Sequence, residues 1–437
     1  MHARFGGLTR LLVALVMTIG VALASIPSAE AKTYPPPPWG EPGLSEGEDL
    51  EIELVTFGPG SDIASWFGHS ALVVRDKRLR QTRVYNYGMF TFHDQLILEF
   101  LTGRLNFWVG ESPYMYTLRR YAAEDRYVHI NVLNMTPEKR VEVARALAVN
   151  VLPENRAYLY HHYWDNCSTR VRDMIDLATD GQFNAYAAST PSRMSLRDHT
   201  LRFATLWILG YGMMFAEAHQ MDDPITVWEE MFLPPELELQ VDTFEYTLPS
   251  GERVPLTLKK EVFHKTELRA PVRETPPNLY PWWLLMGVLF GLGSYGSARM
   301  LADRETRTRR IVFGLYQATL GLVFGGAGMI LVLFLFTDHF ITHYNENMFL
   351  VNPLTFSILP VGLMVAFGSE RARTWLIRLW YMCAAIAALG IALKVLPWFY
   401  QNNGLTLSIV VPMLLGSVLG MRTLKRTMKE RVPTDDE

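Results

Sequence analysis

The C-terminal part of this 437-residue chain alternates long apolar runs with short charged loops. A helix needs about 20 mostly apolar residues to cross the hydrocarbon layer of a membrane, and the runs approach or reach that length. We therefore predict an all-α transmembrane domain of five helices over residues 282–425. The helices are expected near 281–298, 312–336, 354–368, 379–396 and 405–421, and the third is the shortest.

Arginine and lysine are distributed unevenly between the loops that join these runs. The loops after the first and third runs and the tail 426–437 are basic, whereas 337–352 and 397–406 contain neither Lys nor Arg. Basic loops tend to stay in the cytoplasm. We therefore expect a periplasmic domain over 32–270, a linker over 271–281 and a cytoplasmic C-terminus, in a bacterial inner-membrane protein.

The first 31 residues have the pattern of a secretory signal peptide. Arg4 and Arg10 form a positively charged region before an apolar run over 11–24. Ala29 and Ala31 form a cleavage site of the Ala-x-Ala type. We expect cleavage there, with an uncleaved membrane anchor as the alternative. The net charge of −3 gives no reason to expect nucleic acid as a partner.

The exported region mixes two periodicities. Polar and apolar residues alternate as in half-buried strands over 49–57, 70–75, 83–87 and 126–132. Helical patterns cover 94–102, 113–123, 137–151 and 196–218. A hairpin is predicted from 240–248 and 253–259. Strands and helices mixed in this way predict an α+β domain.

Cys167 is the only cysteine of the exported region, so it cannot form an intrachain disulfide there. Apolar residues follow it with helical spacing, and Asp165 or Asn166 is a natural N-cap. Cys167 would then occupy the first turn of a helix, where free N–H groups and the helix dipole favour the thiolate. We interpret Cys167 as a nucleophile. The alternative is a small buried apolar residue, which is our interpretation of Cys383.

A cysteine nucleophile requires a base and a group that orients the base. His69 is the favoured base, because it follows a glycine and begins a predicted buried strand. The alternative is a structural histidine at a strand entry. Asn86 or Tyr85, on the next strand, could orient the imidazole. Arg170, one helical turn after Cys167, could stabilise the thiolate or an oxyanion, or could be a solvated surface residue.

Two further hypotheses follow from histidine positions. A zinc site of His161, His162 and Cys167 is possible, although it lacks a second cysteine and a standard ligand spacing. In the membrane half, a polar loop expected at the periplasmic surface could bind a lipid headgroup or could only solvate the loop. Its candidate residues are His343, Asn345, Asn347 and Asn352.

Four segments together resemble the periplasmic domain of the Lnb family of lipoprotein N-acyltransferases. They are Phe67-Gly-His-Ser-Ala-Leu-Val-Val74, Tyr85-Asn-Tyr-Gly-Met-Phe90, Pro153-Glu-Asn-Arg-Ala-Tyr158 and Tyr163-Trp-Asp-Asn-Cys-Ser-Thr-Arg-Val-Arg-Asp173. The loop from Asn345 to Leu354 is similar to the membrane part of that family. The resemblance implies a circularly permuted papain-like fold, related in architecture to lecithin:retinol acyltransferase, with Cys167 as nucleophile and His69 as base.

The resemblance also implies a reaction. An acyl chain would move from a phospholipid to Cys167 and then to the N-terminal amine of a lipoprotein, with no cofactor or metal. The partners would be a phospholipid donor, a lipoprotein acceptor and the membrane. Two alternatives remain at this point: a periplasmic cysteine hydrolase (peptidase, amidase or lipase) and a non-catalytic envelope assembly protein.

Overall fold

The computed structural model describes residues 37–91, 96–204 and 207–430, so the predicted signal segment lies outside the described residues. The chain divides into two compact units, and each unit is built from segments that are not continuous in the sequence. The first unit holds the described residues up to Gly60, then Phe67–Ala188 and Met231–Arg269. The second unit holds Ser61–Trp66, Ser189–Glu230 and the chain from Ala270 onward.

The first unit is built on a seven-stranded antiparallel sheet. The strands are β1 (Leu50–Phe57), β2 (His69–Asp76), β3 (Gln81–Met89), β4 (Asn106–Pro113), β5 (Val128–Leu133), β6 (Ala157–Leu159) and β9 (Thr257–His264), in the order β6-β4-β3-β2-β1-β5-β9. A separate two-stranded ribbon joins β7 (Glu245–Thr247) to β8 (Arg253–Pro255). The central strands β1 and β2 are almost entirely buried, because helices pack against the sheet.

The helices of the first unit surround the sheet. They are α1 (Leu96–Thr102), α2 (Tyr114–Ala123), α3 (Pro137–Asn150), α4 (Cys167–Ala178), α5 (Gln182–Ser189) and α9 (Pro234–Thr243). Leu118 of α2 packs with Val55, Phe57 and Val73 in one apolar cluster. The helix α4 packs on β2 and β3, which brings its first residue to the strand that begins with His69.

The sequence patterns located most of these elements, although they did not predict β4 or β6, and two of the predicted elements are wrong. The predicted hairpin strand 240–248 is wrong over its first part, because Gln240 and its neighbours belong to α9 and only Glu245–Thr247 is extended. The predicted helix 196–218 is also wrong as one element. It consists of α6 (Leu196–Phe203) and α7 (Trp207–Ala216), and Ala204 between them has an extended backbone.

The second unit contains α6, α7 and α8 (Val227–Glu230), and then a series of long apolar helices. These are α10 (Tyr280–Asp303), α11 (Arg307–Leu320), α12 (Gly326–Phe334), α13 (Asn347–Leu350), α14 (Ile358–Ala366), α15 (Glu370–Leu393) and α16 (Gly404–Glu430). A π-helical turn, Gly321–Gly325, joins α11 to α12. In the described residues they form five stretches long and apolar enough to span a membrane. The predicted fold class, an α+β domain followed by five apolar helices, is confirmed.

Two local features shape this helical group. The third apolar stretch is interrupted at Pro353, which lacks a backbone N–H, so a 3₁₀ turn replaces the α-helix there. The helices α10 and α16 approach closely at Gly291 and Gly416. A Cβ atom added at Gly416 would lie 2.2 Å from the carbonyl oxygen of Gly291, so only glycine permits this packing.

Candidate active site

Cys167 is the first residue of α4, and Asn166 is the N-cap. The Asn166 side-chain oxygen accepts hydrogen bonds from the backbone N–H groups of Ser168 (2.8 Å) and Thr169 (3.0 Å). The Asn166 amide nitrogen donates to the carbonyl oxygens of His162 (2.6 Å) and Phe232 (3.0 Å). Asn166 therefore fixes the start of the helix and the loop before it, and with them the position of the thiol.

Backbone N–H groups at the start of α4 favour the charged form of the Cys167 thiol, as the helix-start prediction requires. Burial raises the pKa of the Cys167 thiol, while the N–H groups of Ser70, Cys167 and Ser168 and the charge of Arg126 act in the opposite direction. The desolvation effect is the larger one. The expected preference for the thiolate is therefore not met in the resting protein, and the thiol requires a base to become a nucleophile.

His69 is the first residue of β2, and the backbone N–H of the next residue, Ser70, opposes the rise in the pKa of the Cys167 thiol. The Nε2 atom of His69 lies 3.3 Å from Oδ1 of Asn86 on β3. The Asn86 amide nitrogen donates to Oγ of Ser112 (2.5 Å), and that hydroxyl is 2.8 Å from Oγ1 of Thr117. Since Thr117 in turn donates to the carbonyl oxygen of Pro113, the whole row ends on a backbone acceptor.

The imidazole of His69 lies next to a stacked pair of aromatic rings and near a buried cation. It stacks on Phe57 and Tyr121, with centroid distances of 5.8 and 5.9 Å. The Arg126 guanidinium lies over the Tyr121 ring, 4.5 Å from its centre. Burial, and then the charge of Arg126, lower the pKa of His69 to about 4, against the opposing hydrogen bond with Asn86. The imidazole is therefore neutral near pH 7 and able to accept a proton.

Gly88 lies where α4 approaches β3. Its φ of +86° lies in the left-handed region, and the pairing of β3 with β4 is irregular between Asn86 and Met89. A Cβ atom at Gly88 would lie 3.6 Å from Cβ of Cys167. A glycine inside a strand is a known sign of a bulge or of close backbone approach, so this position could have been selected from the sequence.

Three of the other predicted site residues are engaged elsewhere. Tyr85 is fully buried and accepts a hydrogen bond from Trp39 (2.9 Å), so it does not orient His69. Asp165 forms a two-pronged ion pair with Arg170, with N–O distances of 2.5 and 2.7 Å. The Arg170 guanidinium also lies over the Tyr158 ring. The charge of Arg170 is therefore balanced by Asp165.

The zinc hypothesis has no cluster to support it in the part of the chain that the structure describes. No group of three His, Cys, Asp or Glu side chains there is arranged to hold a metal ion. His161 accepts a hydrogen bond from the backbone N–H of Tyr163 (3.2 Å), and His162 packs edge-on against Phe67.

The predicted headgroup residues lie in the second unit and have different surroundings. The Asn345 amide nitrogen donates to the carbonyl oxygens of Phe215 (2.8 Å) and Ala216 (2.9 Å), at the C-terminus of α7. Its oxygen accepts from Gln401 and from the N–H of Asn347. Asn345 has thus used its hydrogen-bonding capacity within the protein.

The remaining headgroup candidates retain unused atoms. His343 Nε2 lies 3.1 Å from the carbonyl oxygen of Thr337. Asn352 accepts a weak hydrogen bond from Cys383, and its buried amide nitrogen has no partner among the described residues. Asn347 donates to the carbonyl oxygen of Phe215, and its buried Oδ1 likewise has no partner there.

Arg126, Ser112 and Tyr121 were not selected by sequence patterns. Arg126 begins the predicted strand 126–132, where an arginine is ordinarily a solvated end residue, yet it is 4 % exposed and donates to the carbonyl oxygen of Gly58 (2.6 Å). Ser112 and Tyr121 become part of the site only through strand pairing and helix packing. No local signal distinguishes them.

The fold and the site together define a multi-pass membrane protein whose α+β domain places a cysteine, at a helix N-terminus, beside a histidine–asparagine pair on the sheet. Residues 45–202 match the family model for the Lnb N-terminal periplasmic domain. This part of the chain is therefore an Lnb N-terminal periplasmic domain, and the resemblance drawn from the four segments is confirmed. No curated protein and no solved structure matches the chain.

Proposed function

We propose that this protein is a cysteine-dependent acyltransferase that moves an acyl chain from a phospholipid to the N-terminal amine of a lipoprotein. In the first half-reaction, His69 takes the proton of Cys167, and the sulfur attacks the ester carbonyl. The carbon–sulfur bond forms, the ester carbon–oxygen bond breaks, and His69 returns the proton to the departing lysophospholipid oxygen. The enzyme then carries a thioester.

In the second half-reaction, the lipoprotein amine attacks the thioester. The carbon–nitrogen bond forms, the carbon–sulfur bond breaks, and the proton lost by the amine passes through His69 to the sulfur of Cys167. The net exchange of an ester for an amide is downhill, although the thioester intermediate lies above the ester in free energy, so the cycle needs no nucleotide or redox partner to drive it.

The observation that carries the proposal is the pairing of His69 with Asn86 beside Cys167. The asparagine holds one ring nitrogen, and the other nitrogen is left to accept the thiol proton. The N–H group of Cys167, at the positive end of α4, could stabilise the oxyanion that forms at the attacked carbonyl, whereas the N–H group of Ser168 already donates to Asn166.

An apolar environment beside the thiol supports a lipid substrate. We define an aromatic row as Phe90, Phe107, Tyr160, His162 and Phe67. Ring centroids are 5.0 Å apart between Phe90 and Phe107, and 4.4 Å apart between Phe107 and Tyr160. The Tyr160 hydroxyl lies 3.5 Å from Nδ1 of His162, whose ring centroid is 4.4 Å from that of Phe67. Burial, and then the Cys167 charge, raise the pKa of Tyr160, so this row passes close to the sulfur.

Exposed apolar side chains support access from a membrane. The short helix α1 exposes Leu98, Phe100 and Leu101, each to more than half of its surface. Leu159, on the strand next to β4, is 55 % exposed. Large apolar side chains grouped on a surface commonly mark a contact with lipid or another protein. A domain followed by five apolar helices has a bilayer available for that contact.

The test uses the full-length protein in proteoliposomes, with a phospholipid carrying a labelled acyl chain and a synthetic diacylated lipopeptide. Intact-mass analysis should show one added acyl chain on the lipopeptide amine and a thioester on the protein. Cys167→Ala and His69→Gln should abolish both products. Cys383→Ala and His219→Gln are the matched controls and should retain them.

Other products would point to the alternatives. Free labelled fatty acid without an acylated amine would identify a hydrolase. If Cys167→Ala retained N-acylation, the proposed mechanism would be wrong. Failure of the thiol to react with a lipid ester probe, together with full function of Cys167→Ser in cells, would favour a non-catalytic assembly protein.

A further inference from the structure

A second candidate site lies within the second unit, apart from Cys167 and His69. It is a cavity of about 100 Å³ formed by α6, α7 and the first residues of α10, α13 and α16. One water molecule needs only about 10–15 Å³ in this measure, so the cavity has room for a small polar group. Its apolar lining includes Leu201, Phe215 and Leu405.

Two oxygen acceptors on the cavity lining lack partners. Asn347 is 1 % exposed, and its amide nitrogen donates to the carbonyl oxygen of Phe215, which fixes the orientation of the amide. Its Oδ1 atom has no hydrogen-bond partner among the described residues. The carboxylate of Asp198 also lines the cavity, and within the described ranges it forms neither a hydrogen bond nor an ion pair.

The cationic side chain on the cavity lining is already paired. Arg197 lines the same cavity, but its guanidinium is paired with Asp222, at N–O distances of 2.6 and 3.1 Å. It also donates to the carbonyl oxygens of Met214 and Ala218. The lining therefore offers an unbalanced negative charge and an unused buried acceptor, and both call for a ligand that carries positive charge and N–H donors.

We propose that this cavity binds a primary ammonium group anchored in the membrane. The three N–H bonds of an ammonium group match the Asp198 carboxylate and the Asn347 oxygen, and the apolar side chains of the lining suit the carbon attached to it. The inference deepens the proposed function, on which the identity of the amine rests. That amine is either the headgroup of an aminophospholipid or the N-terminus of a diacylated lipopeptide.

Binding is measured with the full-length Cys167→Ala protein, which cannot turn over, so that the result does not depend on the thiol chemistry. One arm compares short-chain phosphatidylethanolamine with its N-acetyl derivative. The other arm compares a diacylated lipopeptide with a free N-terminus and the same peptide N-acetylated. In at least one arm, the free amine should bind about tenfold or more tightly than the acetylated form. The arm that shows this preference tells whether the bound amine belongs to a phospholipid headgroup or to a lipopeptide N-terminus.

The variants link that preference to the cavity. Asp198→Asn and Asn347→Leu should each reduce the preference for the free amine to less than about threefold. Asp303→Asn makes the same charge change at the C-terminal end of α10, away from the cavity-lining Tyr280 at its start, and should retain the preference for the free amine. Thermal unfolding of each variant shows whether it is folded. Equal binding of free and acetylated forms in both arms, or a preference unchanged in both cavity variants, would overturn the proposal.

Discussion

The Nε2 atom of His69 faces the side-chain oxygen of Asn86 at 3.3 Å, while the Asn86 nitrogen faces Ser112. The Ser112 hydroxyl is itself next to Thr117, which donates to a carbonyl oxygen. Each group in this chain of hydrogen bonds therefore donates to the next one, from His69 through Asn86, Ser112 and Thr117, which places the imidazole hydrogen of His69 on Nε2. Its Nδ1 atom is left unprotonated, and this is the nitrogen that can accept the thiol proton.

Replacing Asn86 tests this assignment. In Asn86→Leu, the imidazole is free to rotate and to adopt the other tautomer, so we expect acylation of Cys167 to slow by roughly 10²–10⁴-fold. Single-turnover thioester formation, followed by intact mass, measures the change. Asn150→Leu is the control, since Asn150 donates to the Tyr87 hydroxyl, and it should stay within about threefold of the wild type. A near-normal rate in Asn86→Leu would remove Asn86 from the mechanism.

The pH dependence of acylation reports on His69. With a pKa of about 4, the imidazole is proton-free from pH 5 upward, so the rate should fall only as the pH drops towards 4. Arg126 lowers that pKa, so Arg126→Gln should raise it and move the acid limb to higher pH. Arg126→Lys keeps the charge and should leave the limb near its original position. A pH–rate profile that is the same in all three proteins would contradict the assigned role of Arg126.

A side chain at Gly88 should affect the thiol directly. Gly88 and Gly251 have the same φ of +86°, and alanine at either position should cost about 1–2 kcal/mol of unfolding free energy. Only Gly88 has Cys167 beside it, whereas a Cβ at Gly251 meets nothing within 4 Å. We therefore expect Gly88→Ala, but not Gly251→Ala, to slow thioester formation, by about tenfold. Equal rates in the two variants would show that the approach of α4 to β3 has no effect on chemistry.

The N-cap of α4 should contribute to both stability and activity. Asn166→Ala removes two accepted and two donated hydrogen bonds, so we expect a loss of about 2 kcal/mol in unfolding free energy and slower acylation. Thr136→Ala removes a single cap contact at α3 and should cost about 1 kcal/mol with no change in rate. Chemical denaturation and single-turnover kinetics measure the two effects. If Asn166→Ala had a normal acylation rate, the cap would be purely structural.

The parts of the fold that the sequence predicted have strong local signals. The alternation in β1, β2 and β5 comes from burial, and the start of α3 follows from Thr136 and Pro137. The edge strand β9 was predicted only in part, because most of its residues are exposed and show no apolar alternation. The predicted strand 253–259 covers its first three residues. The end of helix α9 was misassigned, because the predicted strand 240–248 began within its last turn, where Val241 is buried together with Leu237 on one helical face.

The site divides in the same way. Cys167, Asn166 and His69 sit at a helix start, its N-cap and a strand entry, and each position has a local signal. Arg126 and Ser112 act through contacts between residues far apart in the chain, which no single segment displays. The sequence also did not predict that the pKa of Cys167 is raised. The sequence pattern indicates the helix start, which lowers the pKa, but it does not indicate how deeply the thiol is buried.

The raised pKa of Cys167 has a consequence for the lifetime of the protein outside the cell's reducing interior. Peroxides and disulfides react with thiolates far faster than with thiols, so a cysteine that is protonated at rest is oxidised slowly. In the proposed mechanism, His69 removes the proton only as the carbonyl is attacked, so nucleophilicity and sensitivity to oxidants are separated in time. The purified protein should therefore keep its activity in air without a reducing agent, as few cysteine enzymes do.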